Sequence, residues 1–203
     1  KSKGKGRYTV MAEQKKISNT RQWFKNNYGA SDEQLDSMFN QIGQVESNNE
    51  DIVQEGGGPG RGYFQFETKE GSGAFQTALT RYENLNRREH GEEWESPDWL
   101  VKARESDNAM DLSREQQEDL LLADLAMKSG SDELIKDSLE TGSAKDLWLQ
   151  KHWAGADIGT EEYKAKGAQW DANAPAFMEW SDPEEEVLMD KWTSEDNLIK
   201  EDR

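Results

Sequence analysis

The stretch that decides the fold is SDEQLDSMFNQIGQVES, from Ser31 to Ser47. Ser31 followed three residues later by Gln34 is a capping-box pattern, and it predicts a helix from about Asp32 to Ser47. Apolar residues recur along it at the helical period, at Leu35, Met38, Phe39, Ile42 and Val45. At 100° per residue, Glu46 falls within about 60° of this apolar stripe. We therefore expect one carboxyl group on the buried side of the helix.

The position of Glu46 in the last helical turn adds a second effect. Unpaired carbonyl groups and the negative end of the helix dipole both disfavour an anion there. Apolar surroundings also disfavour the charged form of a carboxyl group. Together they favour a group that keeps its proton near neutral pH, as a general acid must. The alternative is that Glu46 marks the fraying end of the helix, where a carboxylate is simply solvated.

The same start and stop signals recur along the chain, and no stretch alternates with the period of a strand. The further predicted helices are Gly73 to about Glu89, a helix opened by Ser113 and stopped at Gly130, Ser131–Gly142, Ser143–Gly155, and a helix after Thr160. We therefore predict a mainly α fold with a cleft and little or no β-structure.

Composition indicates one domain with polar flanks. Apolar and charged residues each make up 33% of the 203 residues, yet eight Trp, six Phe and five Tyr argue for a small aromatic core. We predict a basic N-terminal tail over residues 1–20, a helical domain over 21–178 and an acidic helical segment over 179–203. In the last segment, Val187, Leu188 and Trp192 form a possible apolar stripe.

The charge distribution bears on partners. The net charge is −17; residues 1–25 carry +7 and residues 179–203 carry −7. An acidic chain repels phosphate groups, so we expect no nucleic-acid binding by the domain. The acidic C-terminal segment is the candidate contact to other proteins of a larger assembly.

Several kinds of site lack their usual residues. The chain has no cysteine, and its two histidines, His90 and His152, are far apart in sequence. We therefore expect no disulfide and no metal or other cofactor. No apolar run approaches the ~18 residues that a membrane span needs, and no signal peptide is visible.

A second stretch, QVESNNEDIVQEGGGPGRGYFQF over residues 44–66, links Glu46 to a glycine-rich loop and then to Gln65. A helix ending in Glu-Ser, followed about twenty residues later by Gly-x-x-x-Gln within apolar residues, resembles the lytic transglycosylase and goose-type lysozyme group of the lysozyme-like superfamily. The separation of Glu46 and Gln65 is 19 residues. The third element of that group, Ala-Tyr-Asn-Ala-Gly, has its counterpart here in KHWAG, residues 151–155.

The resemblance implies a lysozyme-like fold and cleavage of the β-1,4 bond between N-acetylmuramic acid and N-acetylglucosamine in peptidoglycan. Glu46 would be the catalytic acid and base, and the stretch around Gln65 would hold a sugar N-acetyl group in the opposite wall of the cleft. The substrate-binding residues it implies are Ser47, Tyr63, Phe64, Gln65, His152 and Trp153. A lytic transglycosylase needs no second carboxylate; a hydrolase does, and Glu55 and Glu67 are the candidates.

Departures from the family pattern leave alternatives open. Tyr63 and Phe64 replace an aliphatic pair, and at least one of Phe64 and Phe66 is expected in the core. His152 replaces the family's tyrosine, and a histidine at a helix end, where the dipole favours it, is more often structural than catalytic. The combination of no signal peptide, no cysteine and an acidic C-terminal tail resembles phage-borne members, either endolysins or virion proteins that act at the cell wall. The other functional hypotheses are a virion structural or docking protein with an inert core, and a peptidoglycan-binding module without turnover.

Overall fold

Helices dominate the described part of the chain. The computed structural model describes residues 19–91, 93–153 and 157–175. Its α-helices are α1 (Asn19–Tyr28), α2 (Asp32–Ser47), α3 (Ala74–His90), α4 (Asp98–Ser106), α5 (Arg114–Ala126), α6 (Asp132–Thr141), α7 (Lys145–Leu147) and α8 (Glu161–Asn173). The residues that follow α7, Trp148–Trp153, form a π-helix, and short 3₁₀ turns lie at Glu55–Gly57 and Ala109–Asp111. The prediction of a mainly α protein is confirmed.

The capping box at the start of α2 is present as predicted. The backbone N–H of Gln34 donates to Ser31 Oγ at 3.1 Å, and the backbone N–H of Ser31 donates to Gln34 Oε1 at 2.8 Å. Ser113 and Gln116 make the same reciprocal pair at the start of α5. These caps satisfy amide groups that have no partner inside the helix, which fixes where each helix begins.

The N-terminal boundary differs from the prediction. Helix α1 begins at Asn19, inside the segment assigned to the tail. Thr20 and Phe24, one helical turn apart, are both buried, so the first turn of α1 belongs to the packed domain. Residues 1–18 and the acidic segment 179–203 lie outside the described residues. The sequence signals also did not identify α4, which Pro97 precedes.

One short antiparallel hairpin interrupts the helices. Strand β1 (Gly60–Arg61) pairs with β2 (Phe66–Glu67), with Gly60 opposite Glu67 and Arg61 opposite Phe66. The expectation of little β-structure agrees with these two-residue strands. The hairpin lies between α2 and α3 in sequence and forms one wall of the cleft described below.

The core is centred on α5, whose residues 120–125 are all buried. Helices α1 and α3 pack directly against it. Phe39, Phe64, Phe66 and Phe75 form a chain of ring contacts, with centroids of successive rings 6.2–6.4 Å apart. These aromatic contacts join a core in which leucine is the most frequent buried residue.

The segment predicted as one helix from Ser143 to Gly155 is corrected by the structure. Only Lys145–Leu147 is α-helical, and Trp148–Trp153 is wound as a π-helix. A π-helix closes its hydrogen bonds five residues apart instead of four, which changes the direction of the side chains that follow. Residues 154–156 lie outside the described part.

Candidate active site

The end of α2 is built to stop the helix directly after Glu46 and Ser47. Asn48 and Asn49 both adopt the left-handed backbone conformation, with φ of 59°. Asparagine tolerates this conformation better than most residues. The Asn48 and Asn49 amides donate to the carbonyl groups of Gln44 and Gly43, which closes the last turn. The chain then leaves the helix toward the glycine-rich loop.

Glu46 is partly withdrawn from solvent. Its side chain retains 16% of its full exposure. The indole Nε1–H of Trp148 donates to Glu46 Oε1 at 2.5 Å, and His152 Nε2 lies 3.8 Å from the same oxygen. The alternative of a carboxylate fraying into solvent is therefore not what the structure shows.

Ser47, expected from the resemblance to bind substrate, has a structural role. It is buried, and its hydroxyl lies 3.1 Å from the carbonyl oxygen of Gly43 and 2.7 Å from that of Tyr63. The hydroxyl thus ties the end of α2 to the turn that joins β1 to β2. The expected sugar contact through Ser47 is corrected to a link between the two walls.

Gln65 holds the glycine-rich loop from inside. Its Nε2 donates to the carbonyl oxygens of Ile52 at 3.1 Å and Gly62 at 2.7 Å, so both amide hydrogens are used within the loop. Its backbone is left-handed, with φ of 47°. The Oε1 atom is buried and has no hydrogen-bond partner among the described residues. Gln65 lines the cleft, as expected, but its amide nitrogen is occupied with loop carbonyl groups.

The aromatic residues around Gln65 divide between core and surface. Phe64 is 0% exposed and Phe66 is also buried, so the expectation that at least one is a core residue is confirmed. Phe64 is therefore corrected from a substrate contact to a core residue. Tyr63 does not line the cleft; it is partly buried, with the Arg114 guanidinium 5.0 Å from its ring centroid.

His152 bridges the π-helix to the hairpin region. Its Nε2 lies 2.8 Å from the carbonyl oxygen of Phe64, and its ring meets the Phe66 ring edge-on, with centroids 5.8 Å apart. In the neutral ring, a proton on Nε2 would be donated to that carbonyl. The Nδ1 atom is buried without a partner in the described structure. His152 therefore joins two walls of the cleft beside Glu46.

Trp153 supplies an aromatic wall. It is partly buried and lines the cleft, and Lys166 Nζ of α8 lies 5.2 Å from its ring centroid. Aromatic faces of this kind are suited to packing against the apolar faces of sugar rings. Of the two interpretations that the sequence left open for Trp153, packing and a sugar subsite, the structure allows both.

These residues enclose one cleft of 380 Å³. Its lining includes Glu46 from the end of α2, Gln65 from the hairpin region, and His152 and Trp153 from the π-helix. Three separate motifs of the sequence thus meet at one concavity. The volume falls within the range of small-molecule sites, about 300–1,000 Å³.

The two candidates for a second carboxylate are separated by the structure. Glu67 lines the cleft, and its Oε2 accepts a hydrogen bond from the backbone N–H of Ser72 at 2.8 Å. Glu55 is exposed on the 3₁₀ turn and does not line the cleft, so its candidacy is corrected.

A third acid in the cleft, Asp124 of α5, was not identified from the sequence. Its two oxygens are each paired with a cation: Oδ1 with Arg81 Nη1, and Oδ2 with Lys128 Nζ at 2.5 Å. Lys128 also donates to the carbonyl oxygen of Lys151 in the π-helix. A carboxylate neutralised on both oxygens is poorly suited to act as a base, and it instead anchors the π-helix to α3 and α5. The signal in the sequence was an acid inside the apolar run LLLADLA, four residues before a lysine.

Trp148 is the second contact that sequence reasoning missed. The sequence assigned it to the core, and it is indeed 1% exposed. Its N–H nevertheless reaches Glu46. The indole N–H of a buried tryptophan usually has a hydrogen-bond partner, and this general rule was the one indication of a polar neighbour.

Comparisons with known proteins do not identify a relative of this chain, so the site is interpreted from its geometry. No protein-family model, curated protein or solved structure gives a significant match to this chain. Among the described residues, no helix is both long and apolar enough to cross a membrane. In the same part of the chain, no group of three or more acidic or histidine side chains could hold a metal ion.

Proposed function

We propose that this chain is a peptidoglycan-cleaving glycosidase of the lytic transglycosylase type, with Glu46 as its acid and base. The observation that carries the proposal is the meeting of Glu46, Gln65 and the His152–Trp153 pair in one cleft. These are the same three elements by which the sequence resembles the lytic transglycosylase and goose-type lysozyme group. This convergence in one cleft is the support for the proposal.

The proposed reaction begins with the protonated carboxyl of Glu46. It donates its proton to the oxygen that joins C1 of N-acetylmuramic acid to C4 of N-acetylglucosamine, and the C1–O bond breaks through an oxocarbenium-like state. The carboxylate left behind then takes the proton of the muramoyl C6 hydroxyl as O6 bonds to C1. The products are a free 4-hydroxyl group and a 1,6-anhydromuramoyl end, and Glu46 regains its proton.

The partly enclosed position of Glu46 suits both steps of the proposed reaction, proton donation and proton removal. A side chain at 16% exposure is reachable by a substrate yet removed from most of its water. Electrostatic interactions at such a site are stronger than in bulk solvent. The glycine-rich loop, closed by Gln65, lets backbone groups approach a glycan closely because glycine has no side chain.

The acids of the cleft leave one candidate for the second carboxylate that hydrolysis needs. Asp124 has both oxygens in ion pairs, which leaves Glu67 as the partner for Glu46 in a hydrolase. Glu67 accepts the Ser72 amide and comes from the hairpin wall, so it could orient a water molecule. A lysozyme-type muramidase with Glu67 as the second carboxylate is therefore the second candidate function.

Delivery to the wall is part of the proposal. A chain of net charge −17 gains little from long-range attraction to an anionic cell wall. We propose that it acts as a phage-borne enzyme, carried in the virion or released at the wall, with binding supplied by the cleft.

Mass spectrometry of digested peptidoglycan tests the proposal. Purified cell walls incubated with the protein should release muropeptides that end in 1,6-anhydromuramic acid, each lighter by one water than its reducing counterpart. Reducing muramic ends alone would assign the chain to the muramidase alternative. Absence of any soluble glycan product would contradict both.

A further inference from the structure

The contact between Trp148 and Glu46 joins two parts of the chain that are 102 residues apart. The donor is the first residue of the π-helix, and the acceptor is in the last turn of α2. The indole nitrogen lies 2.5 Å from Glu46 Oε1, which is direct hydrogen-bond contact. An indole has one polar hydrogen, so the only hydrogen bond that this side chain can donate goes to Glu46.

The indole itself is held firmly. Trp148 is 1% exposed, and its ring lies against that of Trp170 from α8, with centroids 5.3 Å apart and planes 39° apart. Its backbone N–H donates to the carbonyl oxygen of Ala144 at 2.8 Å. A buried ring with few accessible rotamers is a fixed donor, so Glu46 is the partner that must conform.

Other groups near Glu46 do not fill this role. His152 Nε2 lies 3.8 Å from Glu46 Oε1, beyond hydrogen-bond distance, and is 2.8 Å from the carbonyl oxygen of Phe64. Gln65 uses both of its amide hydrogens within the glycine-rich loop. The donor to the acid therefore comes from Trp148, four residues before the histidine that stands in the family's tyrosine position.

We infer that Trp148 is a positioning residue: its indole N–H holds one oxygen of Glu46 and so directs the other toward the glycosidic bond. This inference depends on the proposed function, since it assigns a role within that reaction. Misplacing a reacting group by about 1 Å can cost about 100-fold in rate, so one well-placed hydrogen bond has a large kinetic effect. The π-helix matters here because its winding sets where Trp148 lies relative to His152 and Trp153.

Nuclear magnetic resonance tests the contact without any activity. The chain has eight tryptophans, and the Trp148→Phe variant identifies the indole N–H signal of Trp148 by its loss. Glu46→Ala should shift that signal upfield and speed its exchange with solvent, whereas Glu50→Ala, at an exposed site four residues on, should leave it in place. A Trp148 signal that is unchanged in Glu46→Ala would overturn the inference, and the result holds even if no variant is active.

Kinetics test the role. On a soluble glycan strand, Trp148→Phe should lower kcat by about 10- to 100-fold with little change in KM, because the lost contact orients the acid and does not bind sugar. The matched control is Trp99→Phe, which loses a partly buried indole that packs against Tyr82 and lines no part of the cleft. Its kcat should stay within a few-fold of wild type. Equal losses of kcat in the two variants would overturn the positioning role. An inactive wild-type protein would instead overturn the proposed function. In that case the resonance experiment still decides whether Trp148 contacts Glu46.

Discussion

Gln65 closes the glycine-rich loop by donating from its side-chain amide to the carbonyl oxygen of Ile52, 13 residues earlier, at 3.1 Å. The same nitrogen donates to the carbonyl oxygen of Gly62 at 2.7 Å. The residue that the sequence marked as a sugar contact therefore shapes the wall on which a sugar would lie. Under the proposed function, Gln65 would act by holding the shape of this loop.

This arrangement predicts that Gln65→Glu destabilises the protein. The substitution keeps the shape of the side chain but replaces the donating NH₂ with an oxygen that faces two carbonyl groups. We expect a loss of about 1–3 kcal/mol in the free energy of unfolding, measured by urea denaturation. The loop should also become sensitive to limited proteolysis.

Gln54→Glu is the matched control for that experiment. Gln54 also lines the cleft, but its Oε1 accepts a hydrogen bond from the Gly60 amide, a role that a glutamate retains. Gln54→Glu should therefore lose clearly less free energy of unfolding than Gln65→Glu. If the two variants are equally stable, the loop-closing role of Gln65 is wrong.

A close approach at Gly62 makes a second prediction. Its φ is 80°, and a Cβ placed there would lie 2.2 Å from Gln117 Oε1. Gln117 is fully buried, and that oxygen accepts the Tyr63 amide, so it has little room to move. Gly62→Ala should therefore lower the thermal midpoint strongly, because it combines backbone strain with a steric clash.

Gly57→Ala separates the two causes of that loss. Gly57 has a similar φ of 77°, but a Cβ there would meet no atom within 4 Å. Its variant should show the backbone effect alone, roughly 1 kcal/mol. An equal fall in melting temperature for both variants would show that the contact with Gln117 contributes nothing.

The third prediction concerns pH. Burial raises the pKa of Glu118 above its ordinary value of 4.5, although the guanidinium groups of Arg114 and Arg21 lower it in part. The folded state thus favours the protonated form more than the unfolded chain does. Stability from this group is present below pH 4.5 and is lost as the pH rises through the raised value.

Denaturation at several pH values measures this effect against Glu118→Gln, which resembles the protonated side chain. Between about pH 4 and pH 7, the wild-type protein should lose free energy of unfolding relative to the variant. A difference that is flat, or that moves in favour of the wild type as the pH rises, would contradict the assignment.

The sequence was most informative where a local pattern decides the structure. The capping box of Ser31 and Gln34 set the start of α2, and helical periodicity then placed Glu46 on the side that packs inward. Both statements follow from bonds and angles within about four turns of one helix. The same logic found the start of α8 at Thr160.

The hairpin was missed because its inward positions do not look apolar. Burial alternates from Gly60 to Thr68, with Gly60, Gly62, Phe64, Phe66 and Thr68 inside. Two of these are glycines, which carry no hydrophobic signal. A Cβ would lie 2.8 Å from Gln65 Oε1 at Gly60 and 2.2 Å from Gln117 Oε1 at Gly62, so a larger side chain does not fit there. Strand periodicity in the printed sequence is therefore weak even though it is clear in the structure.

The contacts of Trp148 and Asp124 were beyond local reasoning for a different reason. Burial of Trp148 could be inferred from its type, but the identity of its hydrogen-bond partner depends on a tertiary contact across the chain. Asp124 likewise gained its two cationic partners from different elements, Arg81 on α3 and Lys128 just beyond α5. The π-helical winding that orients this region has no simple sequence signature.

The central claim is that Glu46 transfers the proton in a glycan-cleaving cleft, and the release of soluble muropeptides from purified cell walls tests it most directly. Glu46→Gln should fold with an unchanged circular dichroism spectrum and release products more than about 100-fold more slowly than wild type. Glu50→Gln, an exposed acid four residues away, should match the wild-type rate. Retention of more than a tenth of wild-type release by folded Glu46→Gln would contradict the account.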